Sequence, residues 1–212
     1  MSSPSLSNLV GKPVKERYGR FEGSIVAVET TPTGELKAIV YENGGVILKS
    51  DVSSIRVEES FVEIAPSIIF EAERLQKDVS IFIAQQEAIA KLWERGVISK
   101  DVYNEVQAES NETLKALKDK LNRVVEKLKD RQNKVKRRRD WIYRLFMNLE
   151  VVKKMRLTSD ESYTNAYEKL ERELFHTISE EEDVKRLYID MMSIQSSLEA
   201  VSYTHLTLPT KA

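Results

Sequence analysis

Two hydrophobic periods divide this chain. In the first sixty or so residues apolar positions alternate with polar ones over short runs, the period of β-strands. Leu36, Ala38 and Val40 fall on one face of such a run, with Lys37, Ile39 and Tyr41 on the other. Residues 24–30 carry Ile25, Val26 and Val28, and Val14 lies in a strand ahead of a Tyr18-Gly19-Arg20 turn. Thr31-Pro32-Thr33-Gly34 is turn chemistry, and Asn43-Gly44 between Tyr41 and Val46 is a hairpin signal. With runs at 46–49, 55–57 and 61–64 the pattern predicts about six strands. A sheet so small must close, or nearly close, on itself to avoid long exposed edges.

Beyond Pro66, a residue suited to a first helical turn, the period becomes helical. Ile68, Leu75, Val79, Phe82, Ile83, Ile89 and Leu92 recur at helical spacing as far as Arg95, and Gly96 stands where a helix C-terminus favours glycine. Ser99 then caps a longer helix. Its apolar residues fit heptads: Leu114, Leu117, Leu121, Val124, Leu128, Val135, Ile142, Leu145, Leu149 and Val152. Arg131 and Arg138 interrupt that seam at d positions. From 114 to 152 the helix spans about 58 Å at about 1.5 Å per residue, an arm too long to fold back over so small a barrel. Thr158-Ser159-Asp160-Glu161 and Ser179-Glu180-Glu181-Glu182 read as capping boxes that start two further helices, the second with Val184, Leu187, Tyr188, Met191 and Leu198 on one face. The expected segments are a disordered 1–8, a β-domain at 9–65, a helical hairpin or coiled-coil arm at 66–157 and C-terminal helices at 158–201.

Composition sharpens the boundary. Six of the seven glycines lie in the first 45 positions, and no proline occurs between Pro66 and Pro209. The absence of cysteine excludes disulfides, thiolate metal sites and a cysteine nucleophile. No signal peptide opens the chain and no apolar run is long enough to span a bilayer. The two histidines, His176 and His205, form no catalytic dyad; His176 reads as a connector between helices. Gly19-Arg20-Phe21-Glu22-Gly23 lacks the third glycine and the helix of a phosphate loop and reads as a turn with a close approach. The acidic run at 180–183 suits a helix N-terminus. No catalytic, cofactor or metal site is expected.

Charge distribution carries more than net charge, which is −1. Between residues 113 and 144 stand thirteen basic residues against four acidic ones, so the remainder of the chain is acidic by ten. Such asymmetry marks a polyanion-facing stretch. The expected contacts are Lys127, Lys129, Arg131, Lys134, Lys136, Arg137, Arg138, Arg139 and Arg144. Trp141, Tyr143 and Phe146 follow at once, as a membrane interface or a buried oligomer helix would have them. DNA phosphate would use the same cations. Self-association is assigned to Leu114, Leu117, Leu121, Val124, Leu128, Ile142, Leu145 and Leu149.

After Val201 the helical pattern and the acidic residues stop, and 202–212 resembles translated sequencing-adapter read-through, a non-native tail that displaces the natural C-terminus. Val10-Gly11-Lys12-Pro13-Val14, Tyr18-Gly19-Arg20, Gly23-Ser24-Ile25-Val26-Ala27-Val28 and strand 34–40 are similar to a PRC-barrel domain. That barrel followed by Gly96-Val97-Ile98-Ser99-Lys100-Asp101-Val102-Tyr103, a basic coiled coil and a short helical region resembles the CdvA family of archaeal cell-division proteins over about 9–201. The resemblance implies an α+β fold, a small PRC-like β-barrel followed by long coiled-coil helices and short C-terminal helices. It also implies a non-enzymatic, filament-forming scaffold at the division site, cytoplasmic and peripheral to membrane or nucleoid. Its implied partners are itself, DNA, an anionic membrane surface and the ESCRT-III-like CdvB, the last bound through a C-terminal peptide that 202–212 does not supply. The other reading is an RNA or ribosome-assembly adaptor on a PRC barrel, with the helices as spacer.

Overall fold

The computed structural model describes the backbone of residues 8–207 and the side chains of 8–199. Six strands come first: β1 (Pro13–Glu16), β2 (Glu22–Thr30), β3 (Leu36–Asn43), β4 (Val46–Asp51), β5 (Ile55–Val57) and β6 (Val62–Ile64). They form one sheet in the order β4-β3-β2-β1-β6-β5, antiparallel except where β1 pairs parallel with β6 through Val14↔Val62 and Glu16↔Ile64. Its core is Leu9, Val14, Ile25, Ile39, Tyr41, Ile55, Val62 and Ile64, with Phe21 stacked on Tyr41 at 5.5 Å. Ile39 and Tyr41 of β3 lie in this core, and Ala38, on the other face of the strand, is buried as well. Gly23 sits where β2 crosses β3: a Cβ there would lie 2.0 Å from the Glu42 carbonyl oxygen, so the close approach expected of this segment is real.

Three long helices follow: α1 (Ser67–Glu94), α2 (Lys100–Lys154) and α3 (Asp160–Thr207). The two turns joining them are built alike. At the end of α1, Val97 N–H donates to the Leu92 carbonyl and Gly96 N–H to that of Trp93; at the end of α2, Leu157 N–H donates to Val152 and Arg156 N–H to Lys153. This is the paired hydrogen-bond closure of a left-handed C-cap. Ser99 and Ser159 then cap the next helices through their Oγ atoms, which accept from Val102 and Ser162 N–H. The turns differ at the left-handed residue, Gly96 in one (φ 67°) and Arg156 in the other (φ 55°).

The chain forms two compact units. One joins the strands and the first turn of α1, up to Phe70, to Asp130–Lys185; the other joins Glu71–Lys129 of α1 and α2 to the end of α3 from Arg186. In the second unit α1 runs antiparallel to α2, as the pairs Lys127–Glu71, Lys120–Asp78, Gln86–Ser110 and Trp93–Tyr103 show. Leu75, Val79 and Phe82 of α1, Leu114, Leu121, Val124 and Leu128 of α2, and Leu187, Met191 and Leu198 of α3 are buried there. In the first unit α2 and α3 make an antiparallel hairpin, marked by Arg138–Glu173, Phe146–Tyr167 and Glu150–Tyr163, with Ile142 fully buried.

Several expectations change here. The two helices expected in 158–201 are one: α3 is continuous through Ser179, whose hydroxyl donates to the Phe175 carbonyl one turn back instead of capping. The buried face carried by Thr177, Val184, Leu187 and Met191 runs through this point without a change of register, and nothing forces a break. His176 accordingly lies inside a helix, not between two. Of the arm at 114–152, residues 130–152 belong to the same compact unit as the sheet, and 114–129 belong to the other unit. Of the expected disordered 1–8, residues 1–7 lie outside the described residues. Of the tail 202–212, the backbone to Thr207 is helical, and the rest lies outside them as well.

Candidate functional site

The chemistry of this chain is concentrated where the β1–β2 turn meets α3. Glu16, at the end of β1, folds the turn around its carboxylate: Oε2 accepts from Tyr18 N–H at 2.9 Å and Arg20 N–H at 3.1 Å, and Oε1 accepts from Arg20 Nη1 at 3.0 Å. Gly19 takes the left-handed conformation (φ 82°) that this tight turn needs, and a Cβ on it would touch the His176 ring at 3.4 Å. On α3, Glu173, His176, Glu180 and Asp183 recur at three- and four-residue spacing and so share one face. Arg20 Nη2 donates to Glu180 at 2.5 Å, and Arg17 Nε pairs with Asp183 at 2.9 Å. The Tyr18 hydroxyl donates to the same Asp183 at 3.2 Å. Burial, then the neighbouring charges of Asp183 and Glu180, push the Tyr18 phenol far above its ordinary pKa, so it remains a donor. Burial disfavours the charge on Arg20, but Glu180, Glu16 and Glu173 outweigh it and raise its pKa.

The basic block of α2 meets the same acidic face. Arg131, at the first interruption of the heptad seam, donates through Nε to Glu180 at 2.6 Å, and its Nη2 also reaches that carboxylate. Glu180 is completely buried and so carries two guanidiniums, Arg20 and Arg131. Arg138, at the second interruption, pairs with Glu173 at 2.7 Å, and Arg139 Nη1 holds both oxygens of Glu181 at 2.7 and 2.8 Å. The breaks in the heptad are thus filled by ion pairs with α3. The turn residues Arg17, Tyr18 and Arg20 were not among the expected site residues; the signal was a charged tetrad around a glycine, which by itself marks only a turn.

The nine cations expected to bind a polyanion separate into two groups. Five are engaged within the chain: Arg131, Arg138 and Arg139 as above, Lys127 with Glu71, and Lys134 with Asp130. Lys129, Lys136, Arg137 and Arg144 are exposed and have no acidic partner among the described residues. Their spacing places these four in one stripe along α2. Trp141 and Tyr143 are exposed beside it, at 56% and 47%, whereas Phe146 packs edge-to-face on Tyr167 at 5.1 Å. The self-association residues fall differently from expectation. Leu114, Leu121, Val124, Leu128 and Ile142 are buried inside a single chain, and Leu117, Leu145 and Leu149 are half-buried. A side chain already covered by its own chain offers little to a second copy, so the seam acts as an intramolecular core.

Among the described residues no cluster of three or more histidine, aspartate or glutamate side chains could hold a metal, and no helix is long and apolar enough to cross a membrane. A six-stranded sheet whose charged turn is held by a long helical hairpin, with a basic stripe on α2, defines an α+β protein. Comparison with known sequences gives the family. Residues 69–205 match the model of the CdvA-like coiled-coil domain, and the chain belongs to that family. It is 26% identical over 119 residues to Cell division protein A of Sulfolobus acidocaldarius, covering 56% of this chain and 50% of that relative. The chain thus spans about half the length of the curated relative it matches. No solved structure matches.

Proposed function

We propose that this chain is a non-catalytic scaffold of cell division that binds phosphate-bearing surfaces through the outer stripe of α2. Membership of the CdvA-like family and the likeness to a relative named as a cell division protein support the role in division. The observation that carries the binding surface is the division of the basic block. Lys129, Lys136, Arg137 and Arg144 keep their charge facing outward while five neighbours are held by carboxylates of the chain. Both DNA and anionic lipid headgroups present phosphate to such a stripe, and exposed Trp141 and Tyr143 suit a base face or a headgroup layer. Polymerisation of the chain and recruitment of ESCRT-III-like CdvB through a C-terminal peptide belong to the same reading.

Duplex DNA and vesicles of anionic or neutral lipid, each titrated with the whole chain at several salt concentrations, test it. Binding to DNA or to anionic vesicles that weakens steeply with salt is expected. No binding to either overturns the reading. Binding that survives Lys129→Glu, Lys136→Glu, Arg137→Glu and Arg144→Glu together moves the site to the strands, as the RNA-adaptor alternative requires.

A further inference from the structure

The two ends of α2 differ in charge and in what they leave uncovered. Between residues 100 and 113 the helix carries Asp101, Glu105, Glu109 and Glu112 against Lys100; between 144 and 156 the chain carries Arg144, Lys153, Lys154 and Arg156 against Glu150. At the acidic end an open groove of about 380 Å³ lies between α1 and α2, lined by Phe82, Ile89, Val106 and Glu109 among others. Gln86 at its floor is buried and donates through Nε2 to Ser110 Oγ at 3.0 Å, while its Oε1 has no partner among the described residues. At the basic end, the α2–α3 turn exposes Met155 at 63% and Leu157 at 68%, and Met147 and Val151 continue that apolar surface down α2. Between the two apolar side chains stands Arg156 in the left-handed conformation that the matching turn gives to Gly96. A non-glycine residue held there costs stability and points to a use for its side chain.

We propose that the α2–α3 turn of one copy seats in the α1–α2 groove of another. Met155 and Leu157 cover half-buried Ile89 and Val106, and the Arg156 guanidinium donates to exposed Glu109. Arg156 and Glu109 are of opposite charge, and both surfaces are part apolar. The turn and the groove are different surfaces of the chain, so the contact between copies is heterologous. The contact is head-to-tail, and such contacts propagate as open filaments unless their rotation closes a ring. This rests on the polymer-forming part of the function proposed above, and supplies the two surfaces that the buried heptad seam does not.

Charge exchange between copies tests it by analytical ultracentrifugation of the whole chain. Arg156→Glu alone and Glu109→Arg alone are each expected to raise the concentration needed for assembly about tenfold or more. An equimolar mixture is expected to recover assembly, because in alternating copies every turn then meets a groove of opposite charge. Full assembly by either variant, or a mixture no better than its components, overturns the contact while leaving the polymer reading intact. A wild-type chain that remains monomeric overturns both. Unchanged circular dichroism in the variants separates lost association from lost folding.

Discussion

Two guanidiniums converge on Glu180, a carboxylate with no solvent exposure, and that single residue ties the β1–β2 turn to both α2 and α3 within one unit. Truncating one partner of a buried ion pair strands the other charges in a low dielectric. Glu180→Ala is therefore expected to cost about 3–5 kcal/mol in denaturant unfolding, far more than truncation of exposed Glu182. Tyr18 gives a pH signature. Its folded pKa lies above the ordinary 10.0, so the protonated phenol stabilises the folded state fully below about pH 10, and that contribution fades as pH rises beyond it. The thermal midpoint should fall more steeply above pH 10 in wild type than in Tyr18→Phe; equal slopes would deny that burial beside Asp183 and Glu180 raises the phenol. At this scale the sequence displayed Arg131 and Arg138 as breaks in a heptad. It could not display their partners, because Glu173 and Glu180 lie more than thirty positions away and are brought near only by the antiparallel return of α3.

Elements were legible where local chemistry sets them. Pro66, Gly96, Ser99 and Ser159 punctuate the helices at the ends the structure shows, since caps depend on a few neighbouring backbone groups. The Ser179 box failed for the same reason in reverse. A capping motif is only an offer, and continuous burial on both sides of it kept the helix whole. The paired turns give an element-scale prediction. Arg156→Gly should relieve the left-handed penalty and stabilise the chain by about 1 kcal/mol, or about 2–4 °C in thermal midpoint. It should weaken self-association at the same time, and a variant that loses neither strain nor assembly would count against the role given to this turn. In the sheet, Gly23→Ala drives a methyl into the Glu42 carbonyl and should destabilise the strands by about 1–3 kcal/mol in thermal or denaturant unfolding.

For the molecule as a whole, the surplus of positive charge on α2 overstated the free cationic surface, since acidic residues of α1 and α3 neutralise part of it. Of the nine expected contacts, the four outward cations should govern salt dependence. Replacing Lys129, Lys136, Arg137 and Arg144 with Gln is expected to lower the log–log salt slope of DNA binding by about 3–4, at about 0.9 per phosphate contact. A comparable drop on replacing Arg131, Arg138 and Arg139 instead would place the binding on the paired group.

Sequence by itself determined that the chain has a small strand-rich part followed by long helices, because glycine, proline and hydrophobic period act over a few residues. It determined the helix caps and the excess of charge on α2 in the same way. Only the tertiary structure decided that the heptad seam is a core within one chain and that α3 is unbroken. It also decided which arginines remain free, and that a short turn in the strands is held by carboxylates some 160 positions away. These depend on which distant faces meet, and a linear pattern records each face without recording what covers it.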